Sequence, residues 1–141
     1  MRDHSNSPVE LLEPLRKICL ALPDAYEEQA WVGTRWCIRK HTFAHVVPIV
    51  DGWPPAYFKA AGTIGPTNVL TFRTPESEFY KRGQPGDRFF WPGWFPNLIG
   101  LRLDDPVDWS EVAELIEDSY CILAPRRLVE QLSTRPSGWD S

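Results

Sequence analysis

The sequence predicts a single α+β domain, in which one N-terminal and two C-terminal helices cover an antiparallel sheet of about five strands. Apolar residues alternate with polar ones in short runs through the middle of the chain, and three- and four-residue apolar spacing marks both ends. Short connections join most of the strand runs, which is typical of an antiparallel sheet. The length of 141 residues also corresponds to about one domain.

The first helix is predicted from a start signal followed by an apolar stripe. Ser7 has the character of an N-cap, Pro8 suits the first helical position, and Glu10 is the acid of a capping box. Pro14 lies inside the stripe, and proline removes a helical hydrogen bond. We therefore expect the regular helix to begin only near Glu13.

Two strand patterns on either side of a short basic segment predict an antiparallel hairpin. In the first run, Trp36 and Ile38 share one face and two arginines share the other, while a second β-rich run ends at Pro48. Only Lys40 and His41, or their neighbours, separate the two runs. The hairpin is therefore tight, and its tip is basic.

The ionisable residues of the predicted strands do not form an evident catalytic or metal site. Glu27 and Glu28 alternate onto opposite faces of the strand predicted at residues 25–32. His41 and His45 are separated by about 13 Å along a strand, which exceeds one coordination sphere. The three cysteines are far apart in sequence and are expected to be free thiols. We expect neither a metal nor a cofactor.

Proline and aromatic residues dominate the middle of the chain. Residues 51–66 are predicted as a loop with room for one helical turn, residues 69–73 as a strand, and residues 75–82 as a short helix closed by Gly83. Residues 89–96 are the densest aromatic run. This run is interpreted either as a proline-stiffened loop that folds over the sheet or as a surface that stacks on a ligand.

A strand and two helices are predicted towards the C-terminus. Residues 98–103 alternate as a half-buried strand does, and Asp108 is placed to cap a helix with Glu111 as its reciprocal partner. The apolar stripe of that helix consists of Trp109, Val112, Ala113, Ile116, Tyr120 and Leu123. Pro125 suits the first position of the second helix, and residues 133–141 are expected to be a flexible tail.

Composition limits the class of protein further. No apolar run approaches the roughly 20 residues that span a bilayer, and the N-terminus lacks the apolar core of a secretory signal. We expect no membrane partner and a cytoplasmic location. The domain is predicted to occupy residues 7–132, and residues 1–6 are expected to be disordered.

Several fragments together resemble the MmcQ/YjbR family. They are residues 15–23, the acids Glu27 and Glu28, Phe43 with Ala44, Phe72 with Arg73, residues 100–104, 107–109 and 118–120, and Ala124 with Pro125. Members of that family are commonly described as DNA-binding proteins. The resemblance implies a double-wing, frataxin-like α+β architecture, with the hairpin acting as a wing.

Two hypotheses about function follow. Under the resemblance, DNA phosphates would be bound by Arg35, Arg39, Lys40 and His41. The net charge of −4 predicts that such binding is weak and salt-dependent. Alternatively, the chain is a non-catalytic domain that binds a small ligand or a protein through Trp53, Tyr57, Phe90, Trp91 and Trp94. No catalytic motif is recognisable, so we do not expect an enzyme.

Overall fold

The computed structural model describes residues 7–75, 88–104 and 106–134. The helices in these ranges are α1 (Val9–Leu20), α2 (Pro55–Ala61), α3 (Trp109–Leu123) and α4 (Arg126–Thr134). The strands are β1 (Tyr26–Gln29), β2 (Thr34–Ile38), β3 (His41–Ile49), β4 (Thr67–Arg73), β5 (Phe89–Phe90) and β6 (Leu98–Arg102). They form one antiparallel sheet in the order β1-β2-β3-β4-β6-β5. The predicted α+β class is confirmed.

The main core lies between one face of the sheet and helices α1 and α3. Its largest fully buried side chains include Trp36, Tyr120, Phe43 and Phe72. The indole N–H of Trp36 donates to Glu27 Oε1 at 2.9 Å, and Arg16 Nε donates to the same oxygen at 3.0 Å. The polar edge of this tryptophan is thereby satisfied, as burial requires.

A smaller apolar cluster lies on the opposite face of the sheet. Val32, Val47, Ile49 and Val69 form it, and α2 packs against it. Because side chains alternate along a strand, the residues between the main-core positions point to this second face. Helix α2 is short and covers only part of this face, and the candidate site lies beside it at one end of the sheet.

A β-bulge shapes the end of the sheet next to the hairpin. The pairing of β2 with β3 shifts between Trp36 and Cys37, which leaves Phe43 without a partner on β2. The pairing of β3 with β4 stops one step before Phe43 would meet Arg73. There the buried Ser119 hydroxyl accepts from the Arg73 N–H at 2.8 Å and donates to the Phe43 carbonyl at 2.6 Å. One side chain of α3 thus replaces a missing bond between two strands.

The start of α1 differs from the expectation. The helix begins at Val9 with Pro8 as its N-cap, so Ser7 does not cap it, and it continues through Pro14. Pro14 has no N–H to donate to the Glu10 carbonyl, which lies in the exposed first turn. Burial of Leu12 and of the apolar positions after it compensates for that loss, so the helix does not wait until residue 13.

Two further elements are more regular than expected. Helix α2 is seven residues long where a loop with one turn was predicted, and Phe89–Phe90 is a sixth strand where only a loop was expected. Gly100 accounts for the extra strand, because a Cβ there would lie 2.1 Å from Cζ of Phe90. The absence of a side chain at Gly100 leaves room for the Phe90 ring against β6.

The C-terminal predictions are largely confirmed. Asp108 caps α3, accepting from the Glu111 N–H at 3.1 Å. The Glu111 carboxylate, however, binds Arg88 at 2.8 Å and does not act as the predicted reciprocal cap. Helix α4 runs to Thr134, two residues past the predicted end of the domain. The helix predicted at residues 75–82 and the terminal segments 1–6 and 135–141 lie outside the described residues, Pro75 excepted.

We expect Ser119→Ala to lower the free energy of unfolding by about 1–3 kcal/mol, because it leaves the part-buried Arg73 N–H and the buried Phe43 carbonyl without their shared partner. Ser110→Ala is the matched control, since Ser110 is an exposed serine in the first turn of the same helix. Chemical denaturation of both variants tests this expectation. Equal, small losses in the two variants would contradict it.

Candidate nucleic-acid interface

The tip of the β2–β3 hairpin is a two-residue turn. Ile38 pairs with His41, so only Arg39 and Lys40 lie between the strands. Arg39 has a positive φ of 57°, which L-residues seldom adopt, and the Tyr26 hydroxyl donates to its carbonyl oxygen. Both turn side chains are exposed, and neither forms an ion pair with another residue of the described ranges. The predicted hairpin is confirmed, with two cations at its tip.

A cleft of about 310 Å³ lies beside the hairpin at the same end of the sheet. Its described lining is Arg35, Lys40, His41, Thr42, His45, Tyr57, Thr71, Phe72, Arg73, Trp94, Phe95, Leu98 and Leu123. Arg35, Lys40 and His41 come from the predicted basic set. Tyr57 and Trp94 come from the predicted aromatic set. The cleft therefore joins residues that the sequence assigned to two competing hypotheses.

The charge of the cleft has the opposite sign to that of the protein. Arg35, Lys40 and Arg73 line it, and no aspartate or glutamate is among its described lining residues, although the whole chain carries a net charge of −4. Arg35 Nη2 lies 2.6 Å from Glu28 Oε1, so its charge is compensated from β1. Lys40 and Arg73 therefore supply most of the cleft's net positive charge.

Arg73 is the charged cleft residue that neither of the two predicted site sets included. Its Nη1 donates to Asn97 Oδ1 at 2.7 Å, and its guanidinium carbon lies 4.7 Å from the centre of the Phe95 ring. Its Nε is buried and has no hydrogen-bond partner among the described residues. Burial lowers the pKa of Arg73, which as an arginine stays charged at neutral pH. Within the described residues, the groups that contact its guanidinium are thus neutral.

His45 and Tyr57 form the uncharged part of the cleft. His45 Nε2 lies 2.8 Å from the Val32 carbonyl, which can only accept, so Nε2 carries the proton. Nδ1 then accepts from the Tyr57 hydroxyl at 3.4 Å. Burial lowers the pKa of His45, the bond to Val32 opposes this shift, and Arg35 adds to it. His45 is therefore a structural hydrogen-bonding residue, and it also fixes Tyr57.

The five predicted aromatic residues do not form one surface. Tyr57 and Trp94 pack edge to face, with ring centroids 4.9 Å apart and an interplanar angle of 75°. Trp53 instead packs near Trp31, at 6.3 Å between ring centroids. Phe90 lies against Gly100, and Trp91 is outside the described cleft lining. Trp31, which the sequence reasoning passed over, is 90% exposed.

The described residues contain no group of three or more histidine, cysteine, aspartate or glutamate side chains that could hold a metal ion. Cys19, Cys37 and Cys121 are free thiols, as expected. Within the same ranges, no helix is both long and apolar enough to cross a membrane.

The His45 geometry predicts a pH-dependent stability. With its pKa lowered in the folded state, the folded protein takes up this proton less readily than the unfolded chain, whose histidine pKa is about 6.5. The free energy of unfolding should therefore decrease as the pH falls from about 7.5 through 6.5 towards the folded-state pKa. Chemical denaturation at several pH values measures it.

His45→Gln should remove this part of the pH dependence. His41→Gln, at the exposed first residue of β3, should retain it and is the matched control. An unchanged pH profile in the His45 variant would contradict the assignment.

Comparison with known proteins places the chain in a family. A family model described as YjbR matches residues 20–122, which include the sheet, the hairpin and α3 almost to its end. No curated protein matches the chain. Because the matched segment is well over half of the sequence, the chain belongs to the YjbR family, also called the MmcQ/YjbR family.

Proposed function

We propose that this protein binds DNA, without catalysing a reaction, through the tip of the β2–β3 hairpin and the adjoining cleft. The observation that carries the proposal is the charge reversal. Lys40 and Arg73 face the cleft, no carboxylate is among its described lining residues, and the chain as a whole is acidic. Family membership supports it, since the resemblance implies DNA binding. The proposal includes a cytoplasmic location, where such a ligand would be met.

The hairpin is the part of this surface that projects. Arg39 and Lys40 have exposed side chains at a two-residue turn, so they can meet neighbouring phosphates of a strand without displacing protein contacts. Phosphate contacts give affinity and orientation without reading the base sequence. A two-stranded ribbon also fits the major groove, which is about 12 Å wide.

The acidic residues limit how the nucleic acid can lie. Glu114 and Asp118 are exposed on α3, whose apolar stripe packs on the opposite face of the sheet and which reaches the cleft at its last residue, Leu123. Their repulsion disfavours contact on that side and directs a polyanion towards the hairpin. Because few cations take part and the net charge is negative, binding should be weak and should decrease with salt.

The first test is binding of a labelled DNA duplex across a salt series. Arg39→Ala/Lys40→Ala should weaken binding about tenfold or more at low salt. The slope of log affinity against log salt should decrease by about two, since two phosphate contacts are lost. The matched control is Lys17→Ala/Arg127→Ala, which removes two exposed cations from α1 and α4. Equal losses in both variants, or no binding at low salt, would contradict the proposal.

A charge-releasing variant gives a test in the opposite direction. Glu28→Gln removes the carboxylate that compensates Arg35 and frees a cation at the cleft. We expect DNA affinity to increase a few-fold at low salt and the salt slope to steepen by about one. Glu114→Gln makes the same charge change on α3 and should have the smaller effect. Equal gains would mean that net charge alone matters.

Binding of a small ligand is the second candidate function. The cleft volume of about 310 Å³ is at the lower end of the range of about 300–1,000 Å³ that small-ligand sites occupy. Aromatic side chains and a few polar groups line it, as they do in such sites. Both candidate functions use the same cleft. They differ in whether the ligand is a small molecule or a nucleic-acid polymer.

A further inference from the structure

The hairpin and the cleft have opposite shapes, although they share one end of the sheet. The hairpin projects and can follow a backbone, whereas the cleft is a concave site of about 310 Å³. A duplex keeps its bases stacked inside and presents only their edges in the grooves, so its phosphates can meet the cations at the rim of the cleft but its bases cannot enter it. The interior of the cleft therefore suits a group that is smaller than a duplex.

We infer that the cleft holds a single unstacked nucleotide, with its base against Tyr57 and Trp94 and its phosphate near Lys40 and Arg73. This inference rests on the proposed function and deepens it, because it names the form of nucleic acid that the cleft selects. The ligand chemistry is an aromatic base that carries a phosphate. It can come from a single strand or from a free nucleotide.

The aromatic wall is suited to a base because it is rigid and partly exposed. Trp94 keeps 40% of its surface exposed while its ring is fixed against Tyr57 at a centroid distance of 4.9 Å. Tyr57 is held in turn by its hydroxyl contact with His45 Nδ1. Every base offers a flat face to such a surface, so stacking tolerates any base sequence.

The polar side of the cleft is suited to the phosphate. Arg73 is held by the Asn97 amide oxygen and by the Phe95 ring, and neither group carries a negative charge. Lys40 lines the same cleft and forms no ion pair with any described residue. An anion between these two cations would supply the compensation that the described lining lacks. A neutral aromatic ligand would not supply that compensation, so we expect the site to favour a phosphorylated one.

The test compares a short labelled single strand with a duplex of the same length by fluorescence anisotropy. Trp94→Leu should weaken binding of the single strand about tenfold, since stacking on one aromatic ring is lost, and leave duplex binding within about twofold. Trp94→Phe should keep most of the single-strand affinity. Trp31→Leu, the same change at an exposed tryptophan outside the described cleft lining, should alter neither. Circular dichroism melting confirms that each variant is folded.

A second arm separates the two sources of the ligand. If a nucleoside monophosphate displaces the single strand from the wild type, and from Trp94→Leu only at higher concentration, the site takes free nucleotides as well. Failure of the monophosphate to compete, with the Trp94→Leu loss intact, supports a site that takes the nucleotide only within a strand.

The outcomes distinguish this inference from the proposed function. If Trp94→Leu binds single strands as the wild type does while Arg39→Ala/Lys40→Ala is impaired, the inference is overturned and DNA binding through the hairpin stands. If the hairpin variant binds the duplex normally but, lacking Lys40, takes the free monophosphate more weakly, as Trp94→Leu also does, the proposed function fails and the cleft remains a nucleotide site.

Discussion

The hydroxyl of Ser119 is the interaction on which the shape of the candidate site depends. It joins the Phe43 carbonyl of β3 to the Arg73 N–H of β4 at the place where the bulge ends their direct pairing. A bulge bends and twists its strand, and here it does so just before the hairpin tip. The same hydroxyl fixes the end of β4 that carries Arg73. The main core and the cleft are therefore coupled through one buried side chain.

The two faces of the sheet differ in role, since one is packed for stability and the other carries most of the proposed binding surface. One face carries the main core under α1 and α3, with Glu27, Arg16 and the Trp36 indole bonded to one another. The other face carries the small cluster under α2 and, beside it, the cations of the cleft, which meets the main core at Phe72 and Leu123. Because side chains alternate along each strand, residues of β2, β3 and β4 serve both faces. This division lets an acidic protein present a basic concave surface.

Local patterns made much of the fold predictable, and long-range contacts explain what was missed. Alternation indicated the hairpin and the inward face of Trp36, and the Asp108 signal located the start of α3. Pro14 misled because its local cost is smaller than the burial of the helix around it. The β5 strand depends on Phe90 meeting Gly100 of another strand, which no local pattern reveals.

The same limit applies to the candidate site. Sequence identified the basic hairpin and an aromatic set, but the meeting of Tyr57 with Trp94 and the role of Arg73 depend on the folded sheet. The most direct test of the proposed surface is backbone amide NMR of the labelled protein titrated with a short single strand. We expect shift changes at residues 40–42, 71–73 and 94–95. Changes on the exposed faces of α1 and α3, or none at all, would contradict the account.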